Sequence, residues 1–173
     1  KNSKDTNVIV ISDHGYSTIK KVVNVRKELI NIGLLENENE NKILIAENGG
    51  SVLFYVENSD NKLATELARA LMQFDWCGPM FYSKKTGKIE GLLPAELIGI
   101  EGPRCPDITM SFQWNSEKNS AGYKGMAYSS GGDINLGQHG SISKHEMNNI
   151  FGVFGPDFKK GLVCTTPTGN IDL

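Results

Sequence analysis

At 173 residues the chain is long enough to bury a sizeable core, and 39% hydrophobic with 22% charged residues is the balance of a globular protein, not of a disordered one. A formal net charge of -2 gives no general attraction to nucleic acid or to an anionic membrane, and no apolar run approaches the roughly 20 residues needed to cross a bilayer. Cys77, Cys105 and Cys164 are odd in number and widely spaced, with no CxxC pair, so they indicate neither a disulfide framework nor a structural zinc and read as small buried or half-buried apolar residues.

The first element is the run NVIVI at residues 7–11. It is continuous and β-branched, the pattern of a strand covered on both faces in a parallel sheet packed between helices. Residues 24–33 follow with Val25, Leu29 and Ile32 at helical spacing and Gly33 as a stop. The acidic run ENENENK (36–42) has no apolar anchor and reads as a solvated loop. Residues 42–47 and 51–57 are strands around Asn48-Gly49-Gly50, a hairpin signal because these residues tolerate positive φ. Residues 61–74 form the clearest helix, with Leu63, Leu67, Leu71 and Phe74 on one face. Residues 80–83, 108–114 and 149–154 read as strands, and 84–88 as a turn through Gly87. Residues 114–139 are rich in Gly, Ser and Asn, and a segment of that kind reads as a long loop, functional or mobile. The mixture predicts an α/β or α+β layered fold.

Only three histidines are present. Asp13-His14-Gly15 directly follows the first strand, at the sheet edge where open α/β sheets bind ligands. Adjacent residues on an extended strand point to opposite faces, but a turn permitted by Gly15 can bring both side chains toward one ion, and carboxylate with imidazole suits zinc, with manganese and iron as poorer fits. His139 lies in Gly137-Gln138-His139-Gly140-Ser141, a loop whose glycines permit tight turns and close approach. His145 reads as a surface residue near the start of a helix or strand. Each feature alone is more often structural than functional. No GxxxxGK[ST] loop, GxSxG elbow or aromatic-basic interleaving is present, which argues against a P-loop nucleotide site, a serine hydrolase and a single-strand nucleic-acid platform.

Taken together, NVIVISDHGYS, GGSVLFYV, RCPDITMSFQW and GQHGSISKHEMNNIFGVFGPDFKKG resemble, in this order, the second half of the bacterial type I phosphodiesterase/nucleotide pyrophosphatase family, part of the alkaline phosphatase superfamily. Ser-Asp-His-Gly after a strand is shared across the superfamily, whereas Gly-x-His-Gly-Ser with the later Gly-Pro-Asp-Phe-Lys is more specific. The resemblance implies an α/β fold, a fragment of an alkaline-phosphatase-like α/β/α sandwich with a β-hairpin insertion. It also implies two zinc ions in the intact enzyme: Asp13 and His14 on the one that also holds the nucleophile, His139 on the other. The nucleophile implied is a threonine that forms a covalent phosphoryl-enzyme intermediate, and the substrate a phosphoester or nucleotide. Family members are often periplasmic, secreted or surface-held.

The threonine, two further aspartates and another histidine lie upstream of Ser-Asp-His-Gly in that family. Only twelve residues precede Asp13 here, and Ser3, Asp5 and Thr6 do not sit in the nucleophile motif. The expectation is therefore a single segment, residues 1–173, forming the C-terminal portion of a catalytic domain. Its N-terminal half would be a necessary partner, no catalytic residue of its own is expected, and the segment alone is expected to bind zinc weakly and to be inactive. PTGNIDL at the other end resembles the start of a segment that continues into a helix. Competing readings are another superfamily activity (phosphomonoesterase, sulfatase or phosphomutase) and a non-catalytic module that keeps the fold without metal.

Overall fold

The computed structural model describes residues 5–166; the PTGNIDL segment lies outside them. The chain divides into two compact units, one formed by Lys1–Asp13 with Asn149–Leu173 and the other by His14–Asn148.

In the first unit, β1 (Val8–Ile11) pairs antiparallel with β11 (Phe151–Phe154), Val8 opposite Phe154 and Ile11 opposite Phe151. This corrects the expected parallel strand covered on both faces: the four side chains of β1 are each 46–49% exposed. A continuous β-branched run states that both faces are apolar, not what covers them. The ribbon is closed at both ends by side chains. Ser12 Oγ accepts from Ile150 N (2.9 Å), and Asn149 Nδ2 donates to Ser12 O (2.7 Å). At the far end Asn7 Nδ2 donates to the Asp157 carboxylate (2.6 Å). Gly155 there has φ +142°, and a Cβ on it would fall 2.7 Å from Asn7 Cα, so the Gly-Pro-Asp turn needs glycine to seat against the chain beside β1.

The second unit holds two sheets. The five-stranded one has the order β3 (Ile43–Asn48), β4 (Ser51–Val56), β7 (Ile108–Phe112), β5 (Cys77–Tyr82), β6 (Leu93–Pro94). The predicted hairpin is there, with Asn48 opposite Ser51 and Gly49 at φ +60°. β7 is central and buried along its whole length, not alternating. Buried between its neighbours, Asp107 accepts from Val56 N (2.8 Å) and Thr86 Oγ1 (2.6 Å).

Two helices contribute to the core of this unit. α1 (Val25–Asn31) is capped by Asn24, whose side chain accepts from Lys27 N, and ends before Gly33 at φ +77°. Val25 and Leu29 are buried as expected, but Ile32 falls at the C-cap and is half exposed. α2 (Asn61–Leu71) is capped by Asp60, which accepts from the amides of Lys62 and Leu63. It buries Ala64, Leu67, Ala68 and Leu71 and stops short of Phe74, which instead stacks on Trp76. Of the cysteines, Cys105 is buried and Cys77 half-buried, while Cys164 in the other unit is exposed, contrary to the expected burial.

The second sheet overturns the expected long loop. Residues 114–139 contribute β8 (Trp114–Lys118), β9 (Lys124–Ser129) and β10 (Gly137–Gln138), which join β2 (Ser17–Val22) in the order β10-β2-β9-β8. β2 and β9 run parallel. The period of β9 is carried by Gly125, Ala127 and Ser129, which are buried, against half-buried Met126 and Tyr128. Small residues on the inward face hide the alternation from any reading that counts large apolar side chains. The β8–β9 turn is held by Asn119, whose Oδ1 accepts from Ala121 N and Tyr123 N. Several sheets with few helices make a mixed α/β architecture, consistent with an alkaline-phosphatase-like fragment.

Candidate functional site

Asp13 follows the end of β1 and is exposed, and His14, half-buried, opens the second unit. Gly15 has no left-handed backbone; its requirement is space. A Cβ on it would lie 2.3 Å from His145 O and 2.6 Å from Asn148 O. Its N–H donates to Glu146 O (2.6 Å). The chain after His14 is thus pressed onto the backbone of a short helix, α3 (Lys144–Met147), before entering β2.

His139 reaches the same place from the opposite direction. β10 pairs antiparallel with β2, Gln138 opposite Ser17, which carries His139 back over the start of that strand. The His14 and His139 rings stack with centroids 4.1 Å apart and planes 19° from parallel. Tyr16 stands edge-on to both, 5.2 Å from His14 and 5.6 Å from His139. His14 Nδ1 lies 2.9 Å from Gly15 O. A carbonyl only accepts, so Nδ1 carries a proton and Nε2 bears the lone pair in the neutral ring. A backbone carbonyl fixing the tautomer in this way is the usual support for a metal-bound histidine.

The His139 loop is fixed by the hairpin of the other sheet. Gly50 N donates to His139 O (2.8 Å). Cβ atoms on Gly49 and Gly140, both at positive φ, would fall 2.8 Å from His139 O and 2.5 Å from Asn48 O. The Asn-Gly-Gly motif therefore serves two purposes, the turn and the approach to the His139 backbone. Beside it an open cavity of about 520 Å³ is bounded by residues 47–49, 130–132 and 137–139. Four of the nine described residues lining it are glycines, and Glu47 is the one carboxylate among the nine. Desolvation holds the Glu47 carboxyl above its ordinary value.

His145 is not the simple surface residue expected. It is half-buried on α3, its Nε2 is 3.0 Å from Ser116 Oγ, and its ring meets Trp114 edge-on at 5.9 Å. Gly125 makes room for it, since a Cβ there would be 2.8 Å from the ring. Ser141 is buried and its Oγ accepts from Ser143 N (3.1 Å), a structural placement. Sequence reasoning missed Tyr16, whose only signal was its position two residues after His14, and Glu146, which lay hidden in a polar KHE run.

The donor chemistry of two imidazoles, with the tautomer of one fixed, fits zinc. It does not complete a centre, because a catalytic zinc takes three protein ligands, and no group of three His, Cys, Asp or Glu that would hold a metal occurs among the described residues. No helix among those residues is long and apolar enough to cross a membrane.

Comparison with curated proteins and with solved structures returns no match. The family model described as type I phosphodiesterase / nucleotide pyrophosphatase matches residues 1–141, which takes in Asp13, His14 and His139 and stops before the Gly-Pro-Asp-Phe turn. The match spans well over half of the chain and agrees with the mixed α/β fold, so the chain belongs to the type I phosphodiesterase/nucleotide pyrophosphatase family, phosphoester hydrolases of the alkaline phosphatase superfamily.

Proposed function

We propose that the chain supplies part of a two-zinc centre that hydrolyses phosphodiester or pyrophosphate bonds, as a C-terminal portion of an alkaline-phosphatase-like catalytic domain. Asp13 and His14 hold the zinc that shares the nucleophile, and His139 holds the second. When bound, the two ions supply Lewis acidity and neutralise charge on the attacking and leaving oxygens. The threonine nucleophile and the remaining ligands come from outside these 173 residues, which contain only three histidines.

The observation that carries this reading is the 4.1 Å approach of His14 and His139, two residues remote in sequence that matched motifs single out independently. The residues around them have definable tasks. The Gly15 carbonyl holds the His14 proton on Nδ1. The Gly50 amide anchors the backbone of His139. The adjoining cavity is within the 300–1,000 Å³ range of small-ligand sites, and with no lysine or arginine among the described residues of its wall it suits a neutral or polar ester substituent.

Turnover of a nitrophenyl phosphodiester, a phosphomonoester and a sulfate ester by the complete protein tests the substrate class. Preference for the diester, lost in Asp13→Ala, is expected; preference for either of the others would replace the reading with another superfamily activity. The 173-residue chain alone binds zinc weakly and gives no turnover. Diester hydrolysis by it, abolished by Asp13→Ala, would overturn that part.

A further inference from the structure

Glu146 is 2% exposed, yet it sits in a segment that reads as polar surface. A carboxylate withdrawn from water is costly unless its oxygens receive donors, so what it binds shows what it is for. Its two oxygens take one donor from each side of His139. Gln138 Nε2 donates to Oε1 (3.0 Å), and Ser141 N donates to Oε2 (2.7 Å). Its own backbone carbonyl receives Gly15 N (2.6 Å), one residue after His14. The helix turn that carries it is itself fixed, with Ser143 Oγ accepting from His145 N (3.2 Å) and Glu146 N donating to Ser143 O (2.9 Å).

We propose that Glu146 is the positioning residue of the site, clamping the loop of His139 by its side chain and the loop of His14 by its backbone so that the two imidazoles are held at stacking distance. The hydrogen bonds of its carboxylate go to Gln138 and Ser141 rather than to either ring. A carboxylate suits the task because it only accepts, and both groups flanking His139 offer N–H. The clamp also orients Gln138: with its amide nitrogen turned to Glu146, its Oε1 is buried without a hydrogen-bond partner and lies where a Cβ on Gly50 would come within 2.7 Å. This unpartnered oxygen makes a specific rescue possible. In Glu146→Gln, turning the Gln138 amide presents Oε1 to the new side-chain nitrogen, while the new side-chain oxygen still accepts from Ser141 N.

The inference rests on the proposed role of His14 and His139 as metal ligands, and the experiment separates the two. The 173-residue chain and its Glu146→Ala, Glu146→Asp and Glu146→Gln variants are compared without metal by cross-ring NOE between His14 and His139 and by hydrogen exchange at the Ser141 amide. Zinc affinity is then measured by competition with a chromophoric chelator. The wild-type chain gives the NOE and a protected Ser141 amide. In Glu146→Ala the NOE is lost and Ser141 exchanges about tenfold faster or more, while zinc affinity falls by about tenfold, the lower end for loss of an outer supporting residue. Glu146→Asp, one methylene shorter, keeps the charge but does not reach both donors, and shows the same losses with native protection retained in α2. Glu146→Gln keeps the NOE and binds zinc within about threefold of wild type, since both hydrogen bonds are re-formed. Unchanged NOE and Ser141 protection in both Glu146→Ala and Glu146→Asp would overturn the clamp. If Glu146→Ala does not fold, Glu146→Asp decides. Absence of zinc binding by the wild-type chain counts against the metal reading alone, because the NOE and exchange still judge the clamp.

Discussion

Replacing Gly50 by alanine isolates the contact through which the five-stranded sheet holds the His139 loop. Gly50 is not among the positive-φ residues, so the substitution adds no backbone strain and acts through space alone. The new Cβ would sit 2.5 Å from Ser141 N, 2.7 Å from Gln138 Oε1 and 3.0 Å from Gly140 C. Two of those three atoms are backbone and do not swing aside. Overpacking of this kind costs about 1–3 kcal/mol, and separating the strands also forfeits the Gly50 N to His139 O bond, worth roughly 1 kcal/mol. The total, about 2–4 kcal/mol, corresponds to a fall in melting temperature of roughly 5–15 °C for a domain of this size. Gly131→Ala is the control. It lies in the neighbouring loop, has nothing within 4 Å of a new Cβ and is not at positive φ, so it stays within about 0.5 kcal/mol of wild type. Thermal melts followed by far-UV circular dichroism compare the two, and equal melting temperatures would refute the close-approach account of the Asn-Gly-Gly turn.

Asp107→Ala leaves the buried Val56 amide and Thr86 hydroxyl without their acceptor, and urea denaturation should show a loss of about 2–5 kcal/mol; a loss below about 1 kcal/mol would show that the two donors find other partners. Burial pushes the Cys77 thiol up to about 12 and Cys105 is buried. A thiol reagent at pH 8 should therefore label exposed Cys164 in the native chain and the other two only after unfolding; fast native labelling of Cys77 would contradict its placement. Glu47→Gln tests the exposed but partly desolvated carboxyl beside the cavity. With its folded value raised above the ordinary 4.5, ionisation costs more in the folded state, so the penalty is present at neutral pH and vanishes once both states are protonated. The variant should melt slightly above wild type at pH 7 and together with it below pH 4.5. A difference that persists in acid would assign the effect to packing instead.

The parts of this fold legible in the sequence are those set by local chemistry. The stop at Gly33 and the Asn-Gly-Gly turn each place a group that its own neighbours require, whereas the caps Asn24 and Asp60 emerge only in the structure. The misread parts depend on what packs across from them. The apolar run of β1 gave no information about direction or cover. β9 shows its period through glycine, alanine and serine, which a hydrophobic count passes over. The structure stacks the rings of His14 and His139, and their local settings, after Asp at a strand end and among glycines, were legible. Glu146 was not, because a carboxylate between Lys-His and Met-Asn has the same local sequence whether it faces water or two buried N–H groups. Gly15 was singled out for permitting a turn, whereas its need in the structure is room against the backbone of α3.

The central claim is that His14 and His139 are metal ligands and His145 is not. The direct test is a zinc titration of the chain followed through the ring nitrogens of its three histidines by two-dimensional NMR. The account predicts that the His14 and His139 rings respond together, that Asp13→Ala weakens the response, and that the His145 ring, held by Ser116 and Trp114, does not change. A response confined to His145, or one that survives replacement of both His14 and His139 by alanine, would contradict it.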